Sequence, residues 1–257
     1  MGPLTNRLVH PIHRHVSPAD ERLGVRLTIG LIVTFVAAGA FLLLLVLVQS
    51  EWAPLRELDT EAAARLNRVA AQNGLMVSAL ELASRVFGPT VFRVAVTLLA
   101  VWYLTRRERR HAVWLLATIW GAALLGFALK ELVGRARPVV DPVSSAPGLS
   151  FPSGHALTAT VGCGLLLLVA LRYLNRPGRV LAVVVAVAIV LVTALARVGL
   201  GVHYVSDVTA GIALGIAWLS VTTWAYVAWR RETGQPVEAP ADVGAEEREP
   251  DPIIAKE

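Results

Sequence analysis

Residues 27–48 read LTIGLIVTFVAAGAFLLLLVLV, twenty-two residues without a charge. A run of that length and polarity spans the hydrocarbon core of a bilayer as a helix. Once it does, every backbone polar group must be paired inside the segment, which leaves helices or a closed barrel as solutions. Further runs recur at residues 112–129, 156–174 (broken by Arg172), 180–196 and 208–229. Residues 89–104 form a weaker run because they carry Arg93. With 55% hydrophobic residues, 17% charged residues and a mean hydropathy of +0.60, the chain is too apolar for a water-soluble domain of 257 residues. The expectation is an all-α integral membrane protein, a bundle of six transmembrane helices over residues 27–229. Residues 1–26 are read as a cytoplasmic segment, and 230–257 as a disordered, Pro- and Glu-rich cytoplasmic tail.

Loop charge sets the topology. Arg7, Arg14, Arg22 and Arg26 precede the first run, TRRERRH (105–111) joins the second to the third, and RYLNRPGR (172–179) joins the fourth to the fifth. Arg230 and Arg231 follow the sixth. With six spans these clusters share one side, which the positive-inside rule makes cytoplasmic. The first run is too long for a signal-peptide core and is read as an anchor. The net charge of +5 reports this topology, not a nucleic-acid partner. The single cysteine, Cys163, lies in a span and reads as a small buried residue. Residues 49–88 form a long outer connection containing an amphipathic interfacial helix with Leu55, Leu58, Leu66 and Val69 as apolar anchors. It is expected to be a connector, not a substrate gate. Trp52, Trp102 and Trp229 fall at span ends as interfacial anchors, and Gly211 with Gly215 reads as a small-residue helix contact.

Against this topology, Lys130, Arg135, Arg137 and Arg197 fall at span ends on the outer side, where cations should be sparse. Ionisable residues at membrane depth mark functional sites, and clustered Lys and Arg suit a phosphate. Arg135, between the others, is expected to be a surface or headgroup contact. The same face receives His155 and His203. Asp207 lies one helical turn after His203 and can hold its imidazole in one tautomer. Ser153 is expected to cap the helix that His155 opens, and Gly154 leaves the backbone open to close approach. The N–H groups of that first turn form a phosphate cradle. Two histidines with Asp207 and Asp141 also suggest a metal site, but four neighbouring cations repel a divalent ion. His10, His13 and His15 lie among arginines and read as a basic interfacial segment.

Three motifs then coincide. Lys130 to Pro138 (KELVGRARP) fits K-x6-R-P, Pro152-Ser153-Gly154-His155 is P-S-G-H, and residues 197–207 (RVGLGVHYVSD) fit R-x5-H-x3-D. Together they resemble the type 2 phosphatidic acid phosphatase (PAP2) superfamily of membrane lipid phosphatases, relatives of the vanadium haloperoxidases. The resemblance implies that His203 attacks phosphorus to form a phosphohistidine, Asp207 orients it and His155 protonates the leaving oxygen. Lys130, Arg137, Arg197, Ser153 and Gly154 would hold the phosphoryl oxygens, with no metal or other cofactor. Where the family usually has Ser before the motif arginine, this chain has Ala196.

The function expected on this basis is hydrolysis of a membrane lipid phosphate at the outer face, with undecaprenyl pyrophosphate as the leading substrate. Phosphatidylglycerol phosphate and phosphatidic acid are alternatives. A non-enzymatic anion or lipid transporter would use the same cations but needs no histidine nucleophile. A haloperoxidase-like enzyme is disfavoured by the membrane spans.

Overall fold

A computed structural model describes residues 18–140 and 148–232. His10, His13, His15, Asp141 and the tail beyond residue 232 lie outside the described residues. The described chain folds into α1 (Pro18–Gln49), α2 (Ala53–Ala71), α3 (Gly74–Val86), α4 (Pro89–Thr105), α5 (Arg109–Val133), α6 (Gly154–Ala170), α7 (Arg176–Gly199) and α8 (Val205–Glu232). A 3-10 turn, Leu171–Tyr173, closes α6. Six stretches are long and apolar enough to cross a membrane: Thr28–Gln49, Gly74–Thr105, Arg109–Val133, Gly154–Tyr173, Arg176–Gly199 and Val205–Arg230.

The expected runs are all present as helices, mostly with longer ends. Apolar composition stops where lipid stops, but the backbone ladder continues through polar residues until a cap interrupts it. Asn73 accepts from the N–H groups of Leu75 and Met76 at the start of α3, and Asn175 accepts from that of Gly178 at the start of α7. Gly134, in the left-handed region, ends α5.

The connection at residues 49–88 departs most from expectation. It folds into two helices, and the second abuts α4 across Phe87 and Gly88, so the second apolar stretch begins at Gly74. In α2 the expected anchors Leu58, Leu66 and Val69 are exposed, and Asp59, Ala63, Asn67 and Ala70 are buried. That stripe follows the helical period and faces the bundle, while Arg56, Glu57, Glu61, Arg65 and Arg68 are exposed.

Inside the bundle, α8 packs on α1 and α6, α4 on α5 and α6, and α2 and α3 cover the end of α7. The core gathers Phe41, Val96, Leu115, Ile119, Phe151, Leu157 and Leu165, with the Phe41 and Phe151 rings stacked at 6.2 Å. Leu31, Phe35 and Leu42 of α1 and Val180, Leu181 and Val184 of α7 are exposed, an apolar surface that lipid would cover. At the end holding the loop arginines, Tyr103 stacks on His111 at 4.9 Å, and Trp114 stacks on Tyr226 at 4.9 Å. The helices α5 and α8 run from there to the opposite end, where Lys130 and Asp207 lie.

Two close approaches fix that opposite end. A Cβ at Gly211 would fall 2.6 Å from the Ser153 carbonyl oxygen, so glycine lets α8 pass directly under the start of α6. There the Ser153 N–H donates to the Asp207 carbonyl at 3.0 Å. Gly201, at φ +74, turns the chain between α7 and α8, and a Cβ there would meet Asn67 of α2 at 2.7 Å.

Candidate active site

Lys130 sits in the last turn of α5, and its Nζ donates to the Leu149 carbonyl at 2.9 Å. Past Gly134 the chain is held by Ser150, whose N–H donates to the Arg135 carbonyl and whose hydroxyl donates to that of Ala136, each at 2.9 Å. This segment delivers Arg137. Its Nε donates to the Gly148 carbonyl at 2.9 Å, and one terminal nitrogen donates to the Val202 carbonyl at 2.6 Å. The same nitrogen lies 3.5 Å from Nε2 of His203.

His203 is 1% exposed, between α7 and α8. Its Nδ1 lies 3.3 Å from Oδ2 of Asp207, which also accepts from the Tyr204 N–H at 2.9 Å. An Nδ1–H donated to that carboxylate leaves a lone pair on Nε2. Burial pushes the His203 imidazole down to about 4; Asp207 opposes this, and the Arg197 and Arg137 charges reinforce it. Across the physiological range it is neutral, the state a nucleophile requires. Burial also lowers Arg137, which still carries its charge at neutral pH.

Lys130, Arg137, Gly154, His155, Arg197 and His203 line one cavity of about 720 Å³. That volume suits a small ligand or headgroup. Arg197 is buried. One of its terminal nitrogens donates to Ser84 of α3 at 2.9 Å, and its Nε has no partner among the described residues. Ser153 occupies the N-cap position of α6 but does not cap it: its hydroxyl is buried without a partner among the described residues. Its backbone N–H is already committed to Asp207, and a Cβ at Gly154 would meet nothing within 4 Å, so the start of the turn is open to a ligand at Gly154. Ala196 is fully buried, and the hydroxyl bonded to Arg197 belongs to Ser84. Among the described residues no three His, Cys, Asp or Glu side chains are grouped as a metal-ligand set.

The PAP2 superfamily model matches residues 111–231. An undecaprenyl-diphosphatase from Sulfolobus acidocaldarius is 31% identical over 160 residues, which cover 60% of this chain and 70% of that protein. The chain belongs to the PAP2 superfamily. A phosphatidylglycerophosphatase B from Bacillus subtilis is 36% identical over 96 residues, 36% of this chain, and the match spans about half that relative's length (47%). The crystal structure of a transmembrane PAP2-type phosphatidylglycerolphosphate phosphatase from Bacillus subtilis superposes with a TM-score of 0.66. It is 20% identical, covers 79% of this chain and is itself covered to 99%. The six-helix bundle is therefore a PAP2 membrane fold, and the chain is a multi-pass membrane protein.

Two acidic and basic residues of this PAP2 site escaped the sequence reading. Arg135 is no surface contact: its side chain is 16% exposed and bridges two fully buried carboxylates. One terminal nitrogen donates to Oδ1 of Asp207 at 2.6 Å and to Ser206 at 2.7 Å; the other donates to Asp59 at 2.8 Å. Burial works against its charge, but those carboxylates outweigh it and hold Arg135 above its ordinary value. Asp59 also accepts from the Ser206 N–H at 2.9 Å and from the Ser206 hydroxyl. The connection at residues 49–88 thus reaches the residue behind His203, which a mere connector would not do. Asp59 and Asn67, at helical spacing with Ala63 and Ala70, were the signal available in the sequence.

Proposed function

We propose that this PAP2 protein hydrolyses a phosphate ester or diphosphate of a membrane lipid, on the extracytoplasmic face, with both termini cytoplasmic. The observation that carries the reading is His203 braced at Nδ1 by Asp207, with Nε2 beside Arg137 in a cavity that His155 also lines. A site that only bound anions would have no use for a neutral, carboxylate-oriented imidazole among cations.

In the first step the Nε2 lone pair attacks phosphorus. The bond from phosphorus to the leaving oxygen breaks, and His155, protonated when the phosphate's negative charge fills the cavity, donates a proton to that oxygen. Lys130, Arg137, Arg197 and the open backbone at Gly154 offset the charge on the transferring group, which needs no metal ion for this. As N–P bonding makes the imidazole cationic, Asp207 stabilises it. In the second step His155, now neutral, takes a proton from water. The resulting hydroxide attacks phosphorus, the N–P bond breaks, and phosphate leaves with both histidines restored.

Undecaprenyl pyrophosphate is the leading substrate, supported by the relative named an undecaprenyl-diphosphatase. Phosphatidylglycerol phosphate stands beside it through the Bacillus relative, and phosphatidic acid is the simplest alternative. The test is phosphate release by the purified full chain from each lipid, in chelator and with vanadate as inhibitor. Release from at least one lipid, blocked by vanadate and indifferent to chelator, is expected. Binding of these lipids without release would favour the transporter reading, and strict dependence on added metal would overturn the mechanism.

A further inference from the structure

The cavity extends beyond the phosphate site. Besides the motif residues its wall includes Thr90 and Arg93 of α4, facing Ala123, Gly126 and Phe127 of α5. Arg93 lies four residues into α4, and Gly126 four residues before Lys130, so this part of the wall is about 6 Å deeper along the helices. The start of α4 is at the site end. Arg93 therefore lies on the membrane side of the phosphate site, on the wall of the same cavity.

Arg93 packs on an aromatic ring but has no ion pair among the described residues. Among the described residues it has no carboxylate partner, and its Nε is buried with no hydrogen bond. Glu81, on the same cavity wall, is engaged by Arg85 at 3.1 Å. The Arg93 guanidinium lies 5.9 Å from the Trp120 ring, whose indole N–H donates to Thr97 at 3.3 Å. The indole is thus fixed by a hydrogen bond beside the guanidinium. A half-buried arginine in a cavity wall, with its Nε donor unspent, suits an anion.

We propose that Arg93 forms a second anion subsite, which takes a phosphate lying between the scissile phosphoryl group and the lipid chain. The proposal rests on the lipid phosphatase reading and narrows it to lipids with two phosphates in series. Two sources share that chemistry: an isoprenyl diphosphate, with adjacent phosphates, and phosphatidylglycerol phosphate, with glycerol between them. Phosphatidic acid and an isoprenyl monophosphate lack the second group.

The test compares the full chain with Arg93→Gln and Arg93→Lys on these four lipids. The glutamine variant should lose kcat/KM on a two-phosphate lipid by about tenfold or more beyond its loss on the matching single-phosphate lipid, the range of a charge-assisted contact. Lysine should recover part of that gap. A gap on the isoprenyl pair alone assigns the diphosphate source, and a gap on the glycerolipid pair alone assigns the spaced one. Equal losses on all four, or no loss, overturn the subsite. If the unaltered protein releases phosphate from none of them, the phosphatase reading fails instead. The subsite is then read by binding of inorganic pyrophosphate and glycerol 1,3-bisphosphate against inorganic phosphate. One of the paired anions should bind more tightly than phosphate, and Arg93→Gln should erase that margin; an unchanged margin overturns the proposal.

Discussion

The Arg135 guanidinium donates to Oδ1 of Asp207 at 2.6 Å, leaving Oδ2 to His203. The carboxylate behind the candidate nucleophile is therefore shared between two cation-forming groups. Its position depends on α2 through the second arm of Arg135 on Asp59.

Replacing Arg135 should accordingly do two things. Arg135→Gln leaves two buried carboxylates without their cation, a loss of about 3–5 kcal/mol in stability for a broken buried pair. It also removes a positive charge close to His203, so the acid limb of kcat/KM should move to higher pH. Thermal unfolding and a pH–rate profile measure the two effects. A stability loss with an unmoved limb would reduce Arg135 to a strut.

Turnover should separate the two histidines. His203→Ala should reduce phosphate release to background on every lipid. His155→Ala should cost about 10²–10⁴ in rate on a phosphomonoester, whose alkoxide leaving group needs a proton. The cost should be smaller on a diphosphate, which expels a phosphate. Equal losses on both substrate types, measured under single-turnover conditions, would remove His155 from the role of proton donor.

The pH dependence follows from the burial of His203. Its folded value near 4 lies below the ordinary 6.5. Between those values the unfolded chain binds a proton that the folded chain does not, so stability rises with pH across that window. For the same reason kcat/KM, corrected for substrate ionisation, should hold as pH falls through 6.5 and decline only toward 4. An enzyme limb centred at 6.5 would show that His203 is more solvated than its 1% exposure implies.

Gly211→Ala tests the seat of the site. The added methyl meets the Ser153 carbonyl oxygen and Ala156, so α8 must move off the start of α6. Overpacking of this kind costs about 1–3 kcal/mol. Because Ser153 and Asp207 are joined across that contact, kcat should fall along with thermal stability. Gly39, with nothing near its missing Cβ, should accept alanine with little change in either measurement.

The sequence by itself determined the spans, their number among the described residues and the spacing of the motifs. Apolar runs have one solution in lipid, and His203 and Asp207 meet because four residues make about one helical turn. Lys130, Arg137, His155 and Arg197 were legible as cations and a histidine gathered at span ends, opposite the end that holds the loop arginines. What only the tertiary structure decided was the identity of their partners. Asp59 and Ser84 lie in a segment whose period shows an amphipathic helix without showing which face meets protein. The face of α2 that meets protein carries Asp59 and Asn67 with Ala63 and Ala70, and Leu58, Leu66 and the other charged residues of the helix stay outside. Arg135 and Arg137 are alike in sequence, two residues apart past the end of α5. One reaches the Asp59 and Asp207 carboxylates and the other lines the cavity, a distinction set by packing across α2 and α8 and not by local sequence.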